Sequence, residues 1–233
     1  MFMYSIIITL FCIISLTISA LILYREGYLF RILGKLGVIE YKPKRNWAVF
    51  SWNNMAEKLD MEADIVFFGD SITRGSNFHK RYPNKKIINL GLSGDTLAGM
   101  LTRVQTIKAF NPKQIFILGG INGLTNLNID KSIKTYSRLL EKIKSSIPDA
   151  KIYVQTVLPI SKAKEKNICK NKTIIIFNKM LSELATEYGV VFIDLHTSYF
   201  TDGVLNPELT VDGLHLYPFA YDKWENILDD YIN

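Results

Sequence analysis

The chain has 233 residues, 48% hydrophobic and 21% charged, with a formal net charge of +6. That balance excludes a disordered chain, which lacks the apolar surface to offset the entropy of ordering, and it leaves enough sequence for one domain with a full core. Two cysteines, Cys12 and Cys169, exclude a disulfide framework and a cysteine-based metal site.

From Phe2 to Tyr24 the chain carries no charge. A run of that length suits a bilayer span, which needs about 20 residues. No Lys or Arg precedes it, so it lacks the basic start of a signal peptide, although Ser19 and Ala20 leave cleavage as the alternative. Residues 25–45 follow as a basic juxtamembrane linker, with Arg25, Arg31, Lys35, Lys42, Lys44 and Arg45 against Glu26 and Glu40. Most of the net charge therefore sits where it would meet a membrane surface. The remainder has no basic stripe with interleaved aromatics, which argues against nucleic-acid binding. The expected organisation is a transmembrane anchor over 1–24, a linker over 25–45 and a globular domain over 46–233. The positive-inside rule taken alone puts that domain in the cytoplasm.

The pattern predicts a short helix over Trp47–Leu59. Beyond it, short apolar runs alternate with helical periodicity. The runs are Asp64–Gly69, Lys86–Leu92, Gln114–Gly119, Lys151–Leu158 and Val190–Leu195. Near-continuous apolar runs of this kind fit strands covered on both faces, as in a parallel sheet. Helices are predicted over Thr96–Phe110, Asp130–Ile147, Thr173–Tyr188 and Pro218–Ile232. Gly189 is placed to end the third of them. The alternation implies an α/β fold, a three-layer α/β/α sandwich around a central parallel sheet of about five strands.

Ligands of such folds bind beyond the carboxyl ends of the strands, so the residues after each strand should converge. After the first strand comes Gly69-Asp70-Ser71. After the second comes Gly91-Leu92-Ser93-Gly94-Asp95, and after the third Gly119-Gly120-Ile121-Asn122-Gly123. Asp212-Gly213-Leu214-His215 precedes the last helix. These residue types suit acyl transfer. A hydroxyl needs a base, a histidine beside a carboxylate is one, and a tetrahedral oxyanion needs N–H or carboxamide donors.

The four stations resemble the SGNH hydrolases, the GDSL-type lipases and esterases with a flavodoxin-like fold. Gly69-Asp70-Ser71-Ile72 is similar to the first block, Gly91 in NLGLSGDT to the second, Asn122 in GGING to the third, and Asp212-x-x-His215 to the fourth. The resemblance runs from about Ala63 to the C-terminus. It implies Ser71 as nucleophile, His215 as base and then acid, and Asp212 as its orienting carboxylate. It further implies an oxyanion hole from the Ser71 N–H, the Gly91 N–H and the Asn122 side chain, with no cofactor and no metal. One departure is Gly123, where many members carry an acidic or amide residue.

Other readings of single residues stand beside these. Asp70 braces its loop through backbone hydrogen bonds or else partners the base. Arg74 is a solvated loop charge or a contact for an anionic substrate. His196, two residues after Asp194, is a rival base, since residues two apart on a strand share a face. His79 is a surface residue. The expected function is hydrolysis of an oxygen ester with a short acyl group on a small molecule or glycan; by the family resemblance the first expectation is an O-acetylated carbohydrate, and a lysophospholipid or another short acyl ester the next. The alternatives are O-acyl transfer to a glycan hydroxyl and a catalytically silent binding module at the membrane. Family members with N-terminal signals or anchors often work outside the cell, so the side of the membrane stays open.

Overall fold

The computed structural model describes residues 45–59 and 61–232; the expected anchor and nearly all of the linker lie outside them. Among the described residues no helix is long and apolar enough to cross a membrane. Helix α1 (Arg45–Leu59) turns Trp52, Met55 and Ala56 toward the core that begins with the sheet.

Five strands form that sheet: β1 (Ile65–Gly69), β2 (Ile87–Gly91), β3 (Gln114–Leu118), β4 (Lys151–Gln155) and β5 (Val191–Ile193). All pairings are parallel, in the order β2-β1-β3-β4-β5. That is the flavodoxin-like order, whose topological switch point lies between β1 and β3. The two faces of each strand divide cleanly. Val66, Phe68, Ile115, Ile117, Ile152 and Val154 belong to one core cluster, while Ile65, Phe67, Phe116 and Tyr153 belong to the other. Alternate residues therefore feed opposite layers, the period-2 rule of a strand, and the expected three-layer sandwich follows.

After the one-turn helices α2 (Ser71–Arg74) and α3 (Phe78–Arg81) that follow β1, the first layer covers one face with α4 (Leu97–Thr102), α5 (Val104–Lys108), α6 (Ile129–Ser146) and α7 (Asn171–Glu187). Helix α6 buries Tyr136, Leu139, Leu140 and Ile143, the stripe expected from its periodicity. Each such side chain contributes about 1.5–3 kcal/mol when removed from water. The opposite face carries the two-turn helix α9 (Tyr221–Leu228), with Trp224 fully buried and its indole N–H donating to Gln155 Oε1 at 2.6 Å. Across this face Phe67, Phe116 and Tyr153 stack in register, with ring centroids 5.0 and 4.2 Å apart.

Several elements differ from expectation, among them the last helix, which covers Tyr221–Leu228 rather than Pro218–Ile232 and is preceded by a 3-10 turn. The helix predicted over Thr96–Phe110 is two helices, broken at Arg103. The fourth strand stops at Gln155: Thr156 N still donates to Ile193 O of β5 at 3.1 Å, but the Val157 N–H turns away to Asn178 Oδ1 at 2.9 Å. A small hairpin, β6 (Phe200–Thr201) and β7 (Val204–Leu205), was not anticipated. Asp202 and Gly203 turn it with φ of 50° and 84°, the left-handed pair that a tight hairpin demands.

Candidate active site

The nucleophile candidate is positioned by the end of β1. Asp70 caps the one-turn helix α2 (Ser71–Arg74), its Oδ1 accepting from Ile72 N at 3.0 Å. Asp70 is wholly buried, and its Oδ2 has no partner among the described residues. Burial pushes its carboxyl up to about 7; the Ile72 N–H opposes this and nearby Asp95 adds to it. Asp70 thus braces the loop, as read from the sequence, but at a cost in desolvation.

Ser71 opens α2 and its Oγ lies 3.0 Å from His215 Nε2. His215 Nδ1 lies 3.0 Å from Asp212 Oδ2. Asp212 Oδ1 accepts from the N–H groups of Leu214 and His215 at 3.0 and 2.8 Å. Partial desolvation pulls the Asp212 carboxyl upward, but these backbone N–H groups and the His215 ring hold it well below the usual carboxylate range. Asp212 therefore stays ionised beside the imidazole. The loop is closed by Thr210, whose hydroxyl donates to His215 O at 2.8 Å and accepts from Gly213 N at 2.9 Å. Ser71, His215 and Asp212, which are 144 and 3 residues apart in sequence, thus form one hydrogen-bonded line. The His215 and Asp212 side chains are 43% and 40% exposed, so the line is open to solvent.

The loop after β2 corrects one expectation. The Gly91 N–H donates to Asn89 Oδ1 at 2.9 Å, so it is not free to receive an oxyanion. Gly91 is needed for packing instead: a Cβ there would collide with the backbone nitrogen of Arg74 in α2. The next glycine in the loop, Gly94, is exposed at φ 72° within a turn that Asp95 N closes onto Leu92 O at 3.1 Å. The Ser71 and Gly94 N–H groups have no acceptor among the described residues. Asn122 Nδ2 donates to Asp95 O at 2.9 Å, which sets its amide against the same turn and leaves a second N–H. Beyond Asn122, Asn128 ties the Gly123 loop through Gly123 O and Thr125 N, both at 2.7 Å.

One residue of this region escaped the sequence reading. Arg103 is buried, pairs with Asp95 through Nε at 2.6 Å, and donates to Leu90 O and Gly69 O at 2.8 Å each. Its guanidinium also lies 4.1 Å from the Phe68 ring centroid. A single side chain so fastens the ends of β1 and β2 and the turn that follows β2. The planar five-donor fork of arginine suits this threefold task. The only signal in the sequence was a charge set among the apolar positions Met100, Val104 and Ile107.

The remaining candidates fall outside this line. His196 starts the short helix α8 (His196–Tyr199), where its backbone N–H donates to Thr156 Oγ1 at 2.8 Å. Asp194 is held by Thr156 and Thr197, and no hydrogen bond joins it to the His196 ring among the described residues. Burial lowers the His196 pKa against the opposing charge of Asp194. The two do not form a dyad, and Ser71 is partnered by His215. Arg74 donates to Ser93 Oγ at 3.0 Å at the rim, and His79 is exposed.

Residues 67–223 match the model of the GDSL-like Lipase/Acylhydrolase family. An N-acylneuraminate cytidylyltransferase of Streptococcus agalactiae serotype V is 25% identical over 175 residues, which cover 75% of this chain. This chain spans only 40% of the length of that relative. The platelet-activating factor acetylhydrolase IB subunit alpha1 of Rattus norvegicus is 22% identical over 184 residues, covering 75% of this chain and 77% of the relative. Among solved structures, the acetyl xylan esterase AlAXEase superposes with a TM-score of 0.62 at 19% identity, over 72% of this chain and 99% of that one.

Proposed function

The chain belongs to the GDSL-like lipase/acylhydrolase family, and from that premise we propose that it is a serine esterase cleaving an oxygen ester with a short acyl group. The observation that carries the proposal is the line Ser71 Oγ, His215 Nε2, His215 Nδ1, Asp212 Oδ2, with 3.0 Å at each hydrogen bond.

In this reading the Ser71 oxygen attacks the ester carbonyl carbon as His215 Nε2 takes its proton. The carbonyl electrons move to oxygen, which receives the N–H groups of Ser71 and Gly94 and the second N–H of the Asn122 amide. Gly94 replaces Gly91 in this role, because the Gly91 N–H is already engaged. Collapse breaks the bond to the alcohol oxygen, which leaves with the proton from His215. Water then attacks the acyl-enzyme, His215 again accepts a proton, and the carboxylic acid departs with the Ser71 hydroxyl restored. Asp212 stays ionised and stabilises the imidazolium. Oxyanion donors of this kind are worth about 10²–10³ in kcat each.

The short acyl preference is supported by the openness of the triad. It is further supported by the acetyl esters named for the acetylhydrolase and acetyl xylan esterase relatives. The uncharged run over residues 2–24 is proposed to hold this domain at a membrane, on the strength of its length alone. The test of the activity is a series of p-nitrophenyl esters of increasing acyl length with wild type and Ser71→Ala. Turnover should favour the acetyl and propionyl esters and vanish in the variant. Retention of most turnover by Ser71→Ala would move the nucleophile elsewhere.

A further inference from the structure

The turn that follows β4 is fastened at one end to α7 and at the other to the triad loop. Asn171, which opens α7, holds the first end. Its Oδ1 accepts from Ile160 N at 2.9 Å, its Nδ2 donates to Ile160 O at 2.8 Å, and its backbone N–H donates to Glu165 Oε1 at 2.9 Å. At the other end Ser161 N donates to Gly213 O at 2.8 Å. Gly213 has φ 87°, and a Cβ there would lie 2.1 Å from Ser161 Oγ and 3.3 Å from Lys164 Cγ. The Lys164 stem thus passes close to a backbone that only glycine leaves bare. Its Nζ ends 3.4 Å from Asp212 Oδ2, the oxygen that also meets His215 Nδ1. An ionised carboxylate has about four acceptor sites. On Asp212 they are engaged by Leu214 N, His215 N, the His215 ring and Lys164.

A nearby negative charge favours the protonated imidazole, and a positive one disfavours it. Asp212 by itself favours the imidazolium form, which cannot take a proton from Ser71. We propose that Lys164 is a positioning residue of the triad: it fixes the Asp212 carboxylate and offsets part of its charge, so that His215 remains a free base to lower pH than it would beside Asp212 alone. The inference rests on the triad reading above and adds a residue outside the four sequence stations. The charges that bear on the ring come from three elements. Asp212 lies on its own loop, Asp70 at the end of β1 interacts with the His215 charge, and Lys164 comes from the turn after β4. The other charges nearby are engaged elsewhere: Arg74 of α2 at Ser93, Arg103 with Asp95, and Lys162 with Glu165. Lys166 on the same turn is exposed. The Lys164 and Asp212 side chains are 30% and 40% exposed, so solvent weakens the pair and its effect is a fraction of a pH unit.

The experiment records kcat/KM for p-nitrophenyl acetate against pH, in the full chain, for wild type and for Lys164→Arg, Lys164→Met and Lys164→Glu. The acid limb of that profile reports the base of the free enzyme. Lys164→Arg should keep the limb within about 0.2 pH unit of wild type, Lys164→Met should raise it by about 0.3–0.7 unit, and Lys164→Glu by about twice as much. Imidazole NMR of the same proteins, with the His215 signal assigned from His215→Ala, follows the ring without any substrate and should give the same order. Asp70, which burial pushes up to about 7, is common to all four proteins and cancels in the comparison. Limbs and ring titrations that coincide in all four would overturn the proposal. So would Lys164→Arg behaving as Lys164→Met, or a fall in kcat with an unmoved limb, which would make Lys164 a prop for the loop. Ring titrations in the expected order with no ester turnover by wild type would sink the esterase reading alone and leave the coupling standing.

Discussion

Replacing Asp70 by asparagine should make the protein more stable above neutral pH. The carboxyl is wholly buried, has one oxygen without a partner, and is pushed by burial from 3.8 to about 7. The sign follows from proton binding in the two states. Below the unfolded pKa both states hold the proton, and the shift contributes nothing. As the pH rises between 3.8 and about 7, the unfolded chain releases its proton while the folded chain keeps it, so stability falls. Above about 7 both states are ionised and the loss is complete. About three pH units at 1.36 kcal/mol each set it at roughly 4 kcal/mol. Asparagine cannot ionise, yet its carbonyl oxygen can still accept the Ile72 N–H, so the cap of α2 survives. Urea unfolding midpoints taken from pH 4 to pH 8 read the effect. The two proteins should be similar at pH 4, and the variant should lead by about 2–4 kcal/mol at pH 8. Parallel pH profiles, or a variant less stable than wild type at pH 8, would show that the Asp70 carboxyl carries no such burial cost.

Arg103→Met should cost about 3–5 kcal/mol in a urea titration, because it takes the guanidinium away from the buried Asp95 carboxylate and from the carbonyls of Gly69 and Leu90; a loss under about 1 kcal/mol would contradict the fastening role given to this side chain. Gly91→Ala should unsettle both stability and activity by driving α2 away from β2. Gly94→Ala should cost only about 1–2 kcal/mol for its left-handed backbone; the reverse order of damage would contradict the assignment of the two glycines. His215→Ala should lose about a thousandfold or more in kcat on a short p-nitrophenyl ester, while His196→Ala keeps most of its turnover. Exchange of those two results would make His196 the base.

The parts of this protein legible in its sequence are those fixed by local pattern. The five apolar runs become the five strands because a strand buried on both faces has no other composition open to it. Ser71, Asp212 and His215 stand out because each sits in a short turn whose residue types serve one chemistry. The choice between Gly91 and Gly94 was not local. Both lie in one glycine-bearing loop, and only the folded position of the Asn89 side chain decides which N–H is already engaged. Arg103 was hidden for a related reason. Helical periodicity runs on through Thr96–Phe110, and the break comes from a tertiary demand at Gly69 O and Leu90 O that the helix itself does not encode. The β6–β7 hairpin is a different case. Its Asp202-Gly203 pair is a strong turn signal between apolar flanks, and the sequence reading passed over it.

Covalent labelling with a fluorophosphonate, read by peptide mass spectrometry, asks whether Ser71 is the nucleophile. One adduct per chain is expected, on Ser71. It should be absent in Ser71→Ala and strongly slowed in His215→Ala, because the oxygen is activated only through the 3.0 Å contact with His215 Nε2. An adduct on another residue, or labelling of Ser71 at the same rate without His215, would contradict this assignment.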